Sequence, residues 1–300
     1  MKTSTKKKYI LIGGVHKAGT TSLFTYLSWH PEICASLIKE THFFSDESFI
    51  KRYNNYETYF RSKNRGHKFF LEASPEYLFG NVGTINRIKK AIHKPKIIFI
   101  FRNPSDKILS SFNHRKKRVL FSTDYTFENF ISDHLNVIDL REINSKEPYS
   151  NEFFECEYFD YLPAWYENFD DNDIKILFFD DLKNSPKEVV EKILNWLGLE
   201  ITNTKDEKFI AENKSVEFKS KNLQKIIIKL IHFAEPFLRR NYKIKNFFRN
   251  VYYSINVKKS NIKVNQSTIK KIDKLYEPKN KLLKDFLQQK GYTRFPSWLN

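Results

Sequence analysis

An α/β fold with a central parallel β-sheet flanked by helices is what this sequence predicts, on three observations. Apolar runs of β type stand at 9–12, 96–101 and 174–179. Patterns of helical spacing at 20–29, 84–93, 105–118, 158–169 and 186–197 alternate with them, as in parallel strands joined by crossover helices. The first two strands pass directly into small, polar turn residues, where open α/β sheets hold their ligands. With 300 residues, 40% hydrophobic and 16% aromatic, the chain can bury one large core. No repeat or low-complexity tract divides it, so the expectation is one domain over 1–300.

The first strand, Tyr9-Ile-Leu-Ile12, breaks into Gly13 and Gly14 and continues Val-His-Lys-Ala-Gly-Thr-Thr-Ser22. Gly14 and Gly19 let the backbone approach a ligand closely. A helix starting near Thr20 presents N–H groups without intrahelical acceptors and the positive end of its dipole. Such a P-loop-like cradle suits an anionic group. The nucleotide-triphosphate loop G-x-x-x-x-G-K-[ST] shares the spacing of the two glycines but requires lysine where this chain has Thr20. Here the lysine is Lys17, inside the loop.

The helical pattern at 84–93 leads to the second strand, Lys96 to Phe101, and then to Arg102-Asn-Pro-Ser105 and Asp106-Lys-Ile-Leu-Ser110. Pro104 suits a first helical turn, and Ser105 or Asp106 suits the positive helix end. Arg102 at the strand's end and Ser110 in the helix could face one ligand, and an arginine fork with a hydroxyl suits a phosphate dianion. The third strand, 174–179, ends in Asp180-Asp181. In a phosphoryl-transfer enzyme such acids would hold magnesium, so a kinase is the rival reading. Thr20 and the Arg102-to-Ser110 clamp speak against it. Asp181-Leu-Lys-Asn-Ser-Pro186 then leads into the helix at 186–197, which Gly198 closes as a C-cap.

The cradle at 14–22 resembles the 5′-phosphosulfate loop of the sulfotransferases, enzymes that use 3′-phosphoadenosine 5′-phosphosulfate (PAPS). The stretch from Arg102 to Ser110 resembles the same family's R-[DN]-P-x-[DE]-x-x-x-S element, which clamps the 3′-phosphate. Four further stretches carry the likeness. Lys39-Glu-Thr-His-Phe-Phe-Ser45 looks like the K-E-x-H-F-F element, and Leu71-Glu-Ala-Ser-Pro-Glu-Tyr77 like E-[KA]-[ST]-P-x-Y. Leu275-Tyr-Glu-Pro-Lys-Asn-Lys-Leu-Leu283 and Gly291-Tyr-Thr-Arg-Phe-Pro-Ser-Trp298 resemble the C-terminal helix and tail. The nearest likeness is to heparan sulfate and bacterial carbohydrate sulfotransferases. Animal heparan sulfate enzymes often carry lysine where this chain has Ala73 and aspartate where it has Ser45, so those two positions are given no role.

What the resemblance implies is a sulfotransferase fold and a PAPS-dependent transfer to a hydroxyl or amine of a carbohydrate-type acceptor, with no metal required. Lys17, Ala18, Gly19, Thr20, Thr21 and Ser22 would bind the 5′ side of the donor, and Arg102 with Ser110 its 3′-phosphate. In-line sulfuryl transfer relies on positioning and electrostatics, by analogy with phosphoryl transfer. Lys17 is the candidate for stabilising the departing oxygen. Glu40 is the candidate general base, its pKa expected to be raised in a desolvated cleft. His42 is either its partner or the base itself, and on an extended segment residues 40 and 42 would share a face. A catalytically inactive PAPS-binding protein of the same fold is the non-enzymatic alternative.

The chain carries 52 Lys and Arg against 35 Asp and Glu, a net charge of +17. Between Lys214 and Lys263 there are thirteen Lys or Arg against Glu217 and Glu235, a surplus of 11. Within that segment Leu223, Ile226, Ile227, Leu230, Ile231, Ala234, Phe237 and Leu238 recur at helical spacing, which predicts an amphipathic basic helix. Its readings are a core helix with a solvated lysine face, a contact with an anionic membrane surface, or a contact with an acidic acceptor such as a polysaccharide or glycolipid. No recognition motif favours nucleic acid. Two cysteines, Cys34 and Cys156, predict neither a disulfide framework nor a metal site. The Lys2-to-Lys8 cluster runs straight into the first strand, and no apolar run reaches about 18 residues. The expected location is cytoplasmic, peripheral at the inner membrane face if the basic segment meets lipid.

Overall fold

The computed structural model describes residues 7–45, 48, 51, 53–61, 66–118, 120–122, 124–140, 150–201, 209, 216–218, 257–259 and 264–300. They gather into two compact units. The first takes in 1–102, 157–212 and 279–300, the second 103–156 and 213–278.

The first unit is built on a parallel five-stranded sheet: β1 (Lys8–Gly14), β2 (Ile33–Ala35), β3 (Phe69–Ala73), β4 (Lys96–Phe101) and β5 (Ile174–Phe178), in the order β2-β3-β1-β4-β5. β1 and β4 are apolar almost throughout and buried on both faces, as parallel strands covered by helices require. β1 is central, with β3 on one side and β4 on the other, so the chain changes direction of winding there. The crevice beyond the carboxyl ends of β1 and β4 is therefore the place where this topology binds ligands.

All three predicted strands are present, and two more go beyond them. β2 is only three residues long. β3 carries Glu72 in the middle of an apolar run, which hides its strand character. The helices of this unit are α1 (Thr20–Ser28), α2 (Asn81–Ala91), α6 (Leu162–Tyr166), α7 (Phe179–Asn184) and α8 (Pro186–Leu197), numbered in chain order with the helices of the second unit described below. The helix predicted at 84–93 begins at Asn81 instead. The one predicted at 158–169 is two pieces, a 3₁₀ turn at Tyr158–Asp160 and then α6. Pro163 lies at the start of α6, and a proline is accommodated only in a helix's first turn, so the longer helix is broken there. α8 matches its predicted bounds and ends at Gly198, whose φ of 68° supplies the left-handed cap. Fully buried Trp165, Phe43, Phe44 and Phe99 anchor the core together with Leu283 and Leu287.

The second unit starts with α3 (Pro104–Lys117). Asn103 caps it, its side chain accepting the Ser105 N–H at 3.0 Å, and Pro104 stands in the first turn. α4 (Phe127–Leu140), α5 (Ser150–Phe154) and an antiparallel pair, β6 (Val216–Phe218) and β7 (Val257–Lys259), follow. Ile108, Phe112, Phe127, Phe130 and Phe153 form its core with Ile272 and Tyr276, the latter two from α9 (Gln266–Gln289). Lys107 is 2% exposed in this core, its Nζ 3.4 Å from both Glu155 Oε2 and the Glu152 carbonyl. The basic helix predicted at 223–238 lies outside the described residues. Among the described residues no helix is long and apolar enough to cross a membrane.

Candidate functional site

The cradle forms where β1 gives way to α1. The Val15 N–H donates to the Ile100 carbonyl at 3.1 Å, tying the turn to β4, and the Ala18 N–H closes back on the Val15 carbonyl at 3.3 Å. Lys17 and Gly19 are left-handed, with φ of 65° and 85°. A Cβ on Gly19 would stand 2.9 Å from Leu182 Cδ2 and 3.2 Å from Phe179 Cδ2, so both conformation and space demand glycine. α1 then opens at Thr20 with no side-chain cap at its N-terminus. Its first N–H groups lack intrahelical acceptors by geometry and point along the positive dipole end.

Arg102 reaches this turn from the end of β4. Its Nη1 donates to the Lys17 carbonyl at 2.8 Å, and the guanidinium lies 4.3 Å from the centre of the Phe179 ring. Residues 17–22 and Arg102 thus form one group at the β1/β4 crevice. Ser110, the other residue of the predicted clamp, stands half-buried on α3 in the second unit.

The segment predicted to face the acceptor runs beside the end of β3. The Ser36 N–H donates to the Leu71 carbonyl and the Glu40 N–H to the Ala73 carbonyl, both at 2.8 Å. The stretch is not extended, the condition under which residues 40 and 42 would share a face: Glu40 and His42 both adopt left-handed φ, 64° and 53°. The two side chains consequently take different partners, Glu40 pairing with Lys39 and His42 with Glu76. The raised pKa expected for Glu40 is also corrected. Burial acts to raise it, but the Lys39 ammonium, helped by His16 and His42, outweighs burial and holds the carboxyl below its ordinary value. His16 belongs to the cradle, so cradle and acceptor-side loop share one electrostatic field.

His42 Nδ1–H donates to Glu76 Oε1 at 2.6 Å, and Ser45 Oγ donates to the same oxygen at 2.8 Å. The bond to Glu76 raises the imidazole's pKa against the opposing pull of burial. Burial acts to raise Glu76 itself, and the bonds from His42, the backbone and Ser45, with the His42 charge, together override it to leave the carboxyl lowered.

Three acids or bases in this region were not among the predicted site residues: His16, Glu72 and Glu76. Glu72 is wholly buried, and burial pushes its carboxyl up to about 7 against the hydroxyl bonds it accepts from Ser74, Thr41 and Tyr77. A carboxylate inside an apolar strand is rare enough to have marked it in the sequence. Asp180 and Asp181 occupy the first turn of α7. Asp180 Oδ2 accepts from Trp298 Nε1 at 3.3 Å, and burial raises Asp181, so both acids sit in structural surroundings.

The model of the sulfotransferase domain matches residues 7–285. The chain is similar to the bifunctional heparan sulfate N-deacetylase/N-sulfotransferase 1 of Caenorhabditis briggsae, 25% identical over 202 residues, and to that of Homo sapiens, 25% identical over 217. These alignments take in 63% and 68% of this chain but 22% and 23% of the relatives, so the match spans less than a quarter of their length. The solved sulfotransferase of Alicyclobacillus acidocaldarius is similar with a TM-score of 0.54 and 26% identity, covering 79% of this chain and 95% of that one.

Proposed function

This chain belongs to the sulfotransferase family, and from that premise we propose that it moves the sulfuryl group of PAPS to a hydroxyl or amine of a carbohydrate acceptor, acting as one sulfotransferase domain. The observation that carries the reading is Arg102, bonded to the Lys17 carbonyl and lying over Phe179. It places a fixed planar cation beside a helix N-terminus at the β1/β4 crevice, the charge pattern that a nucleotide with separate phosphate groups requires.

The donor supplies the sulfuryl group and its phosphate leaving group. In this reading residues 17–22 hold the 5′ side through backbone N–H groups and hydroxyls, and Arg102 holds the 3′-phosphate. Lys17 offsets charge that grows on the leaving oxygen. Glu40, lowered by Lys39, is ionised at neutral pH and takes the acceptor proton. His42, its ring fixed by the bond to Glu76, is read as the partner of that base. A carbohydrate acceptor is supported by the stretches 39–45 and 71–77 and by the relatives, whose names give heparan sulfate as their substrate. A cytoplasmic location is proposed with it, the basic segment at 214–263 meeting an anionic membrane surface or the acceptor.

Calorimetry with 3′-phosphoadenosine 5′-phosphate (PAP) and with ATP tests the donor side. PAP should bind far more tightly and without magnesium, since ATP has no 3′-phosphate. Equal affinities, or a need for magnesium, would return the kinase. Labelled PAPS offered with de-N-sulfated heparin and other glycans, followed by mass spectrometry, tests the acceptor side. Tight PAP binding with no sulfate transferred would mark an inactive binding protein.

A further inference from the structure

Glu72 lies on β3 beneath the acceptor-side loop, and three hydroxyls converge on one of its oxygens. Thr41 Oγ1 donates to Oε1 at 2.8 Å, the Tyr77 hydroxyl at 3.1 Å, and Ser74 Oγ donates to the same atom. Each of these hydroxyls also accepts a backbone N–H from the loop. His42 donates to Ser74 Oγ at 3.1 Å, Phe43 to Thr41 Oγ1 at 3.2 Å and Phe44 to the Tyr77 hydroxyl at 3.3 Å. Three successive amides are thus tied, each through one hydroxyl, to a single buried carboxylate oxygen.

An isolated buried charge is costly, and an apolar residue would serve a central strand better. What the carboxylate provides is direction. Its Oε1 accepts and does not donate, whether the group is ionised or carries its proton on Oε2, so each hydroxyl must point its hydrogen at Glu72 and its lone pair at the loop. The loop needs such control, because Glu40 and His42 are left-handed non-glycine residues. That conformation persists only where its surroundings over-determine it.

We propose that Glu72 is a positioning residue of the transfer reaction, holding residues 40–44 through the three-hydroxyl relay so that Glu40 and His42 present their side chains to the acceptor. The inference rests on the reading of 39–45 as the acceptor side. Glu72 touches neither donor nor acceptor in this scheme.

Replacing Glu72 by an apolar residue would leave three buried hydroxyls unpaired and endanger the fold, so the test deletes single relays. Ser74→Ala should speed hydrogen exchange at the His42 amide, and Tyr77→Phe at the Phe44 amide, each by roughly fivefold, the worth of one ordinary hydrogen bond. Both variants should lower kcat for cleavage of labelled PAPS in the presence of de-N-sulfated heparin by about tenfold, through misplacement of the reacting groups. KM for PAPS and the affinity for PAP should not move, which general loosening of the fold would not allow. Unchanged exchange at both amides overturns the relay. Faster exchange with unchanged kcat overturns the positioning role and leaves a packing network. Failure of the proposed function is separately visible as a wild type that cleaves no PAPS and binds PAP no better than ATP, and the exchange data still decide whether Glu72 holds the loop.

Discussion

Residues 15–22 and residues 36–45 lie at the same end of the first unit's parallel sheet, yet different chemistry holds them. The turn at 15–22 is fixed largely by main chain, Val15 bonded to Ile100 and Ala18 to Val15, with one side chain, Arg102, engaging the Lys17 carbonyl. The acceptor-side loop is fixed largely by side chains, with Glu72 behind Thr41, Ser74 and Tyr77, and Glu76 behind His42 and Ser45. Backbone amides survive substitution of the residues that carry them, whereas a side-chain relay can be rewritten one residue at a time. In the proposed reading, the half that would meet a donor of fixed structure is built from main-chain groups, and the half that would match a particular acceptor from replaceable side chains.

The sharpest way to separate the halves is Glu40→Gln. It should lower transfer about 10² to 10⁴-fold, the usual contribution of a general base, while PAP affinity by calorimetry stays near wild type. Retained turnover together with an inactive His42→Ala would move the base to His42 and undo the division of roles drawn above.

Glu72 gives the next largest effect, read in folding stability. Its folded pKa of about 7 lies above the ordinary 4.5, so the folded chain holds this proton more tightly than the unfolded one. The resulting stabilisation is fully present below pH 4.5, shrinks as pH rises and is lost above about 7. The groups facing Glu72 are the hydroxyls of Thr41, Ser74, Tyr77 and Tyr56 and the charge of Glu76. Against Glu72→Gln, which cannot ionise, wild type should lose on the order of 3 kcal/mol across that window. Denaturant midpoints of the two proteins from pH 4.5 to 8 measure it, and parallel curves would refute it.

Arg102→Ala should act on the other half alone. Loss of a charged hydrogen-bond donor corresponds to roughly 10 to 100-fold weaker PAP binding, read by calorimetry, with exchange at the amides of residues 42–44 untouched. Disturbed exchange there would show that the two halves are mechanically joined.

The same contrast explains what the sequence revealed. The cradle is contained in one short stretch, and its glycines, Lys17 and helix start can be read in order. The β4 strand and α8 were legible to the residue because apolar runs, Pro186 and Gly198 mark their ends locally. The acceptor side was legible only as motifs. The bonds that shape it join residues 31 to 34 positions apart, and no glycine announces the left-handed backbone at Glu40 and His42. The pairing of Glu40 with Lys39 instead of an apolar wall, which reverses the expected direction of its pKa, is likewise a product of that backbone.

Cys34 on β2 and Cys156 just after α5 are both buried and unbridged. Burial raises the Cys34 thiol and pushes Cys156 up to about 11, so neither offers a thiolate to a maleimide while the chain is folded. Each becomes reactive when the structure around it opens, and each belongs to a different compact unit. The native chain therefore carries its own pair of chemical clocks. Mass spectrometry of alkylated peptides, taken along a urea series, would time the opening of each unit with no label introduced.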